Sequence, residues 1–345
     1  MYGADPDLCE AAAVARTLLD APVDAIDRVR GGRNSRIYRV RCGVRYFAVK
    51  QYPVPHKDPR NRLKTEVEAL ELMRRNGIDA VPRPLGNDPE RGYALFSWIA
   101  GEPVDAADGP DIEAAADFLA EIHRLRYLDE AQSQPLAAEA CLSGLDIVSQ
   151  LARRMVRLGS GARTDPGLAE FLEQTANLLF IRVLPAAATG YESLGLPFAF
   201  PLPATARSLC PSDFGFHNAL RSATGLTFFD FEYFGWDDPV KLVCDFLLHP
   251  GMRLTEPLKR RFVAIALQIY RGDPTFARRL GLLFPLFALR WCLILLNEFL
   301  PERWANRVHA GIELDWSRAK EGQLALANDL LRSVQSNHGS YPYGN

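Results

Sequence analysis

Two hydrophobic periodicities divide this chain of 345 residues, and the change between them at Gly101 and Pro103 limits the folds it can adopt. Before that point, after an N-terminal helical pattern, strand alternation and helical spacing are mixed. Tyr38, Val40 and Cys42 interleave with Arg39 and Arg41, which predicts a half-buried strand, and after the turn offered by Gly43 a second strand runs over 46–52 (YFAVKQY). Leu63, Val67, Leu70 and Met73 then recur at helical spacing, with Gly77 at the C-terminal cap position, and residues 92–99 (GYALFSWI) return to strand.

Beyond Pro103 the period is helical. Pro110 and Asp111 open a helix whose Ile112, Ala115, Leu119, Ile122 and Leu125 share a face, and further helices are expected over 145–158 and 168–184. A short strand pair is expected from 209–213 and 226–231, and helices fill the remainder. This is an α+β chain with a small mixed sheet at its N-terminal end and a large, mostly helical C-terminal part. Expected divisions are 1–97, a hinge over 98–103, 104–335, and a flexible tail over 336–345. The apolar run at 280–300 is long enough to span a membrane, but Pro285, Arg290, Asn297 and Glu298 interrupt it, so a buried helix or helix pair is expected.

Charge narrows the function. A formal net charge of -2 lacks the basic excess of a nucleic-acid binder. Cys9, Cys42, Cys141, Cys210, Cys244 and Cys292 are scattered, without metal-ligand spacing, and read as reduced thiols. The first residues carry acids rather than a basic start and an apolar run, so a cytoplasmic location without a membrane span is expected. The oligomeric state stays open.

The segment 208–238 (SLCPSDFGFHNALRSATGLTFFDFEYFGWDD) holds the candidate chemistry. Asp213 and Asn218 are five apart, and Asp230 follows twelve later at the end of an aromatic strand. Phosphoryl transfer needs a carboxylate to take the proton of an accepting hydroxyl, with an amide oxygen and a second carboxylate to hold Mg2+. Gly215 is expected to permit the loop's bend. The plainer reading makes Asp213 and Asn218 turn residues and Asp230 a surface acid. Upstream features favour the chemical one. Strand parity puts Ala48 and Lys50 on one face, where the small residue can roof a purine and the ammonium can reach phosphates. Glu66, nearer the apolar face of the following helix than Glu68, is placed to hold Lys50. Gly31 and Gly32 allow backbone N–H groups to approach phosphate, with Asn34 or Ser35 as added donors, although a Gly-Gly pair alone is usually only a turn.

In this order the parts resemble the aminoglycoside phosphotransferase family. GGRNSRIYRV is similar to its nucleotide-covering loop and strand, FAVK to its lysine strand, FSWIAGEPV to its hinge, PSDFGFHN to its catalytic loop and FDFEYFGWDDP to its metal-binding strand and turn. The resemblance implies a two-lobed protein-kinase-like fold and ATP-dependent transfer of a phosphoryl group to the hydroxyl of a sugar, aminoglycoside or amino alcohol. It implies Asp213 as catalytic base, Asn218 and Asp230 as magnesium ligands, Lys50 on the nucleotide phosphates with Glu66 behind it, and the backbone of Ser97, Trp98 and Ile99 against adenine. Two positions depart from the family: Pro211 stands where a His is usual, and Lys241 where an Asp is common. Missing activation-loop features weigh against a protein Ser/Thr kinase, and a non-catalytic nucleotide-binding protein is the rival from another class.

The acceptor stays open, because the charges conflict. Arg153, Arg154 and Arg157 suit an anion, whereas Glu232, Asp237 and Asp238 suit a cation. His217 or Arg221 could add positive charge near the transferred group; the plainer reading packs His217 and leaves Arg221 solvated.

Overall fold

Alternation along the N-terminal strands sorts their side chains onto two faces, and one face is closed by the first helix. The structure, a computed structural model, describes residues 6–29, 35–53, 60–309, 315–336 and 341–343. Helix α1 (Pro6–Leu19) sets Ala11, Ala12, Val14 and Ala15 against Tyr38, Val40, Phe47, Val49 and Leu95 in one apolar core. The sheet beneath it has the order β1 (Ala25–Val29), β2 (Arg36–Cys42), β3 (Arg45–Gln51), then β5 (Tyr93–Ser97) between β3 and the edge strand β4 (Pro84–Asp88). The expected mixed sheet is instead antiparallel at every described pairing. β2 and β3 join through a two-residue turn at Gly43, where φ is +58°; the chain then passes through the helix over Arg62–Arg75 to the edge strand β4, and β5 returns between β3 and β4, antiparallel to both.

Helix α2 (Arg62–Arg75) starts at Asn61, whose side chain accepts the Lys64 N–H at 3.2 Å, and α3 (Gly109–Leu125) starts at a reciprocal Asp108–Asp111 cap. A three-stranded sheet follows, of β6 (Glu102–Pro103), β8 (Ala219–Ser222) and β9 (Gly225–Phe228), with β8 central. The expected pairing of 209–213 with 226–231 is therefore corrected. Strand β7 (Ser208–Cys210) stops short, and β9 pairs with β8, the strand that starts directly after Asn218.

Met1–Ala138 together with Leu209–Trp236 form one compact unit, so the segment bearing Asp213, Asn218 and Asp230 belongs with the N-terminal sheet. The second unit, Glu139–Ser208 with Asp237–Asn345, is built from α4 (Gly144–Ala162), α5 (Pro166–Leu178), α6 (Leu184–Ser193), α7 (Pro239–Leu248), α8 (Glu256–Ile269), α9 (Phe276–Leu295), α10 (Pro301–His309) and α11 (Trp316–Ser336). The helix expected over 168–184 breaks at Leu178 into a π turn, ahead of Pro185, which lacks the N–H a continuous helix would use. Helix α9 is apolar and long enough to cross a membrane, yet 72% of its apolar window is buried within the protein, with α4, α7 and α11 packed on it. Within the tail expected to be flexible, Tyr341 and Tyr343 stand edge-on to Phe284 of α9, at 5.2 and 5.8 Å.

Candidate active site

Strand β3 turns Phe47 and Val49 into the core under α1, so Lys50 lies on the other face, towards α2. There its Nζ is 2.6 Å from Glu66 Oε2 and 2.5 Å from Asp230 Oδ1, with Glu232 Oε2 at 3.4 Å. Glu68 points outward to Lys64 at 3.8 Å. Glu66 is a hub: Tyr52 Oη donates to its Oε2 at 2.7 Å, and the Phe231 N–H donates to its Oε1 at 3.2 Å. One buried carboxylate thus joins β3, α2 and the turn that presents Asp230. That turn holds Asp230 at φ +69°, a left-handed conformation rare for a residue with a side chain.

Burial alone would lower the Lys50 ammonium, but Asp230 and Glu66 overcome it and hold the group charged, well above the ordinary lysine value. The carboxylates divide. Burial pushes Glu66 and Asp230 up despite Lys50, whereas for Glu232 the pull of Lys50 and Arg62 outweighs burial and keeps it low. Arg62 Nη1 lies 2.6 Å from Glu232 Oε1. Three carboxylates, Glu66, Asp230 and Glu232, therefore face two cations, Lys50 and Arg62, and their ligating oxygens lie within 4.8 Å of one another. The cluster carries surplus negative charge in a buried place.

The loop before it is tied at several points. The Asp213 N–H donates to Pro211 O at 3.0 Å, Ser212 Oγ donates to Ala138 O at 3.3 Å, and Asn218 Nδ2 donates to Asp213 O at 2.9 Å. The bend lies at Ser212, with φ +71°, and not at Gly215, whose φ of 163° and ψ of -179° are extended and open to any residue. Asn218 O accepts the Phe229 N–H at 3.0 Å, which brings Asn218 beside the turn of Asp230. His217 Nε2 is 3.1 Å from Asp213 Oδ1, and the Asp213 side chain keeps 45% of its surface exposed. The loop is thus held by its own side-chain and backbone bonds and by Ala138, with Pro211 where the family has His.

Other expected residues sit differently. Ser35 Oγ donates to Glu232 Oε2 at 3.0 Å, so its hydrogen is directed at a carboxylate rather than a phosphate. Gly31, Gly32 and Asn34 lie outside the described residues. Ala48 shares the Lys50 face, between Arg39 and Phe96 in the sheet. The Ser97 N–H is committed to Arg83 O at 2.9 Å, while Trp98 and Ile99 follow the strand half-buried. Arg221, expected near the transferred group, is instead clamped by Asp111 and by Ala106 O. The acids expected to draw a cationic acceptor are likewise engaged: Glu232 as above, Asp237 with Lys241, and Asp238 with Arg279. Of the three arginines considered for an anion, Arg154 pairs with Glu139 and Arg157 with Glu302. Sequence reading missed Arg62 and Tyr52 altogether. Their spacing was the available signal, since Arg62 precedes Glu66 by one helical turn and Tyr52 follows Lys50 by one strand repeat.

The profile of the phosphotransferase enzyme family, APH, matches residues 25–282. No curated protein matches the chain by sequence. Among solved structures, a choline kinase from Cryptosporidium parvum superposes with a TM-score of 0.60 at 10% identity, covering 96% of this chain and 97% of its own. A spectinomycin phosphotransferase in complex with ADP and spectinomycin gives 0.62 at 10% identity, covering 93% and 98%. A choline/ethanolamine kinase family protein from Mesorhizobium loti gives 0.57 at 17% identity, covering 96% and 97%. At these identities the likeness is one of fold, the two-lobed α+β fold that protein kinases share.

Proposed function

The chain belongs to the phosphotransferase enzyme family, and from that premise we propose that it transfers the γ-phosphoryl group of ATP to a hydroxyl of a small molecule. The observation that carries this reading is the Lys50 ammonium held between Glu66 and Asp230, with Asp213 exposed on a tied loop of the same unit. Lys50 binds the nucleotide phosphates. Glu66 and Tyr52 keep its side chain extended. Asp213 orients the acceptor hydroxyl and takes its proton as the oxygen attacks the γ-phosphorus, and ADP leaves with the electron pair of the broken P–O bond. His217, bonded to one Asp213 oxygen, fixes the carboxylate's orientation.

Magnesium fits the donor set. Asp230 and Asn218 offer hard oxygen ligands, and the surplus negative charge of the cluster is what a divalent cation relieves. When bound, the ion neutralises charge on the phosphates. Residues 1–97 are proposed to cover the nucleotide, 98–103 to act as the hinge with Trp98 and Ile99 offering backbone to adenine, and 104–335 to hold the acceptor. Of the acceptor classes, sugar, aminoglycoside and amino alcohol, none is favoured by the charges, because the acids weighed for a cation already have internal partners.

The test is phosphate transfer from Mg-ATP across a panel of sugars, aminoglycosides and amino alcohols, with Asp213→Ala as control. Transfer lost in that variant supports the assignment. Wild-type protein that fails to bind ATP in the presence of Mg2+ sinks it, and binding without transfer to any acceptor favours the non-catalytic reading.

A further inference from the structure

The site described above accounts for Lys50, Glu66 and Asp230 but leaves a second buried ion pair unused. Arg62, at the first turn of α2, is 8% exposed, and Glu232 is 3% exposed. Their 2.6 Å contact uses Glu232 Oε1, whereas Oε2 is the oxygen 3.4 Å from Lys50, and the Arg62 guanidinium also lies 5.1 Å from the centre of the Tyr233 ring. Glu232 has a second tie, accepting the Ser35 hydroxyl at 3.0 Å. Ser35 lies three residues after Gly32 in sequence, and Glu232 follows Asp230 by two. Glu232 thus ties Ser35 to the turn that carries Asp230.

The distances state what Arg62 does. Lys50 keeps Glu66 and Asp230 at 2.6 and 2.5 Å while Glu232 stands off at 3.4 Å, because its other oxygen is drawn to Arg62. Without Arg62, Glu232 would be a buried carboxylate whose nearest remaining cation is Lys50, and it would close on the ammonium that the nucleotide phosphates need. Arg62 and Glu66 lie on one helical face, four residues apart, so α2 delivers both the acid that holds Lys50 and the base that restrains its competitor.

Resting on the phosphotransferase reading, we propose that Arg62 is a positioning residue for that reaction: it latches Glu232 to Ser35 and away from Lys50, leaving the ammonium available to the phosphates of a nucleoside triphosphate. The latch works through Glu232, so its loss is repaired by neutralising Glu232.

Calorimetric titration of Mg-ATP into the full chain, with thermal midpoints recorded alongside, tests this. Arg62→Met is expected to weaken Mg-ATP binding about tenfold, and the double variant Arg62→Met/Glu232→Gln to return to within about threefold of wild type, because the carboxylate that competes for Lys50 is gone. The double variant removes both charges of the Arg62–Glu232 pair together and serves as the readout where the single variant does not fold. Unchanged Mg-ATP affinity in Arg62→Met, or a tenfold loss persisting in the double variant, overturns the latch and leaves Arg62 a structural residue. These outcomes are separate from failure of the underlying function, which shows as wild-type protein that binds no Mg-ATP.

Discussion

Each compact unit of this protein buries a network of charges, and the two networks are balanced differently. In the helical unit, Lys241 Nζ bridges Asp237 and Asp245 at 3.2 and 3.3 Å, Arg290 reaches Asp245 at 3.2 Å and Glu139 at 3.0 Å, and Arg154 completes the set on Glu139. Three carboxylates meet three cations, and the Trp291 indole N–H donates to Asp245 at 2.7 Å. In the sheet-bearing unit, three carboxylates share Lys50 and Arg62, with Asp213 exposed nearby in the same unit. A balanced network holds helices in place. One with surplus negative charge invites a cation, and its Asp230 sits in the left-handed region of backbone space.

Breaking each network should therefore have opposite signatures. Asp213→Ala is expected to lower the transfer rate roughly a hundred- to ten-thousand-fold while leaving the urea unfolding midpoint unchanged. Lys241→Met should do the reverse: with Asp237 left buried without its cation, stability falls by about 3–5 kcal/mol by denaturant titration. Saturating Mg-ATP, at a hundred times its dissociation constant, should stabilise the wild type by about 2.7 kcal/mol, read as a raised thermal midpoint. Asp230→Asn should abolish that ligand shift, yet raise the stability of the ligand-free protein by about 1 kcal/mol, since it removes surplus charge and Asn tolerates the left-handed backbone. If Asp230→Asn destabilises as Lys241→Met does, the distinction between the two networks fails.

The smallest expected effect is a pH dependence in the balanced network. Burial would raise the Glu139 carboxyl, but Arg154 and Arg290 outweigh it and hold its pKa at about 2, against an ordinary 4.5. Its folded pKa is depressed, so its contribution to stability is complete above the ordinary value and drains away as pH falls from 4.5 towards 2. Glu139→Gln should flatten that part of the acid unfolding curve, and only slightly, because the side chain is half exposed.

Sequence periodicity located much of this architecture. Strand β2 falls where alternation placed it, α2 and α3 fall within a few residues of their expected starts, and the run at 280–300 holds a buried helix. The failures share a cause. Strand β4 carries no alternation and contains Pro84 and Gly86, because an edge strand is held by its neighbour's hydrogen bonds rather than by its own pattern. The break at Leu178 came from a single proline, and the pairing of β9 with β8 was set by a hairpin too short to register as period. The candidate site was legible as residue types in order, Lys50, Glu66, Asp213, Asn218 and Asp230, because that chemistry needs specific groups at specific points along the chain.

What the sequence determined alone was this ordered set of groups, the sheet-then-helix division, and the family. Which charges cancel was decided by tertiary structure. Glu232, Asp237 and Asp238 look alike in sequence as acids near one strand; Asp237 pairs with Lys241 four residues on, but only the fold gives Glu232 to Arg62 and Asp238 to Arg279. The physical reason is that a salt bridge between residues distant in sequence depends on burial and on the approach of two side chains within about 4 Å, and neither is encoded in local spacing.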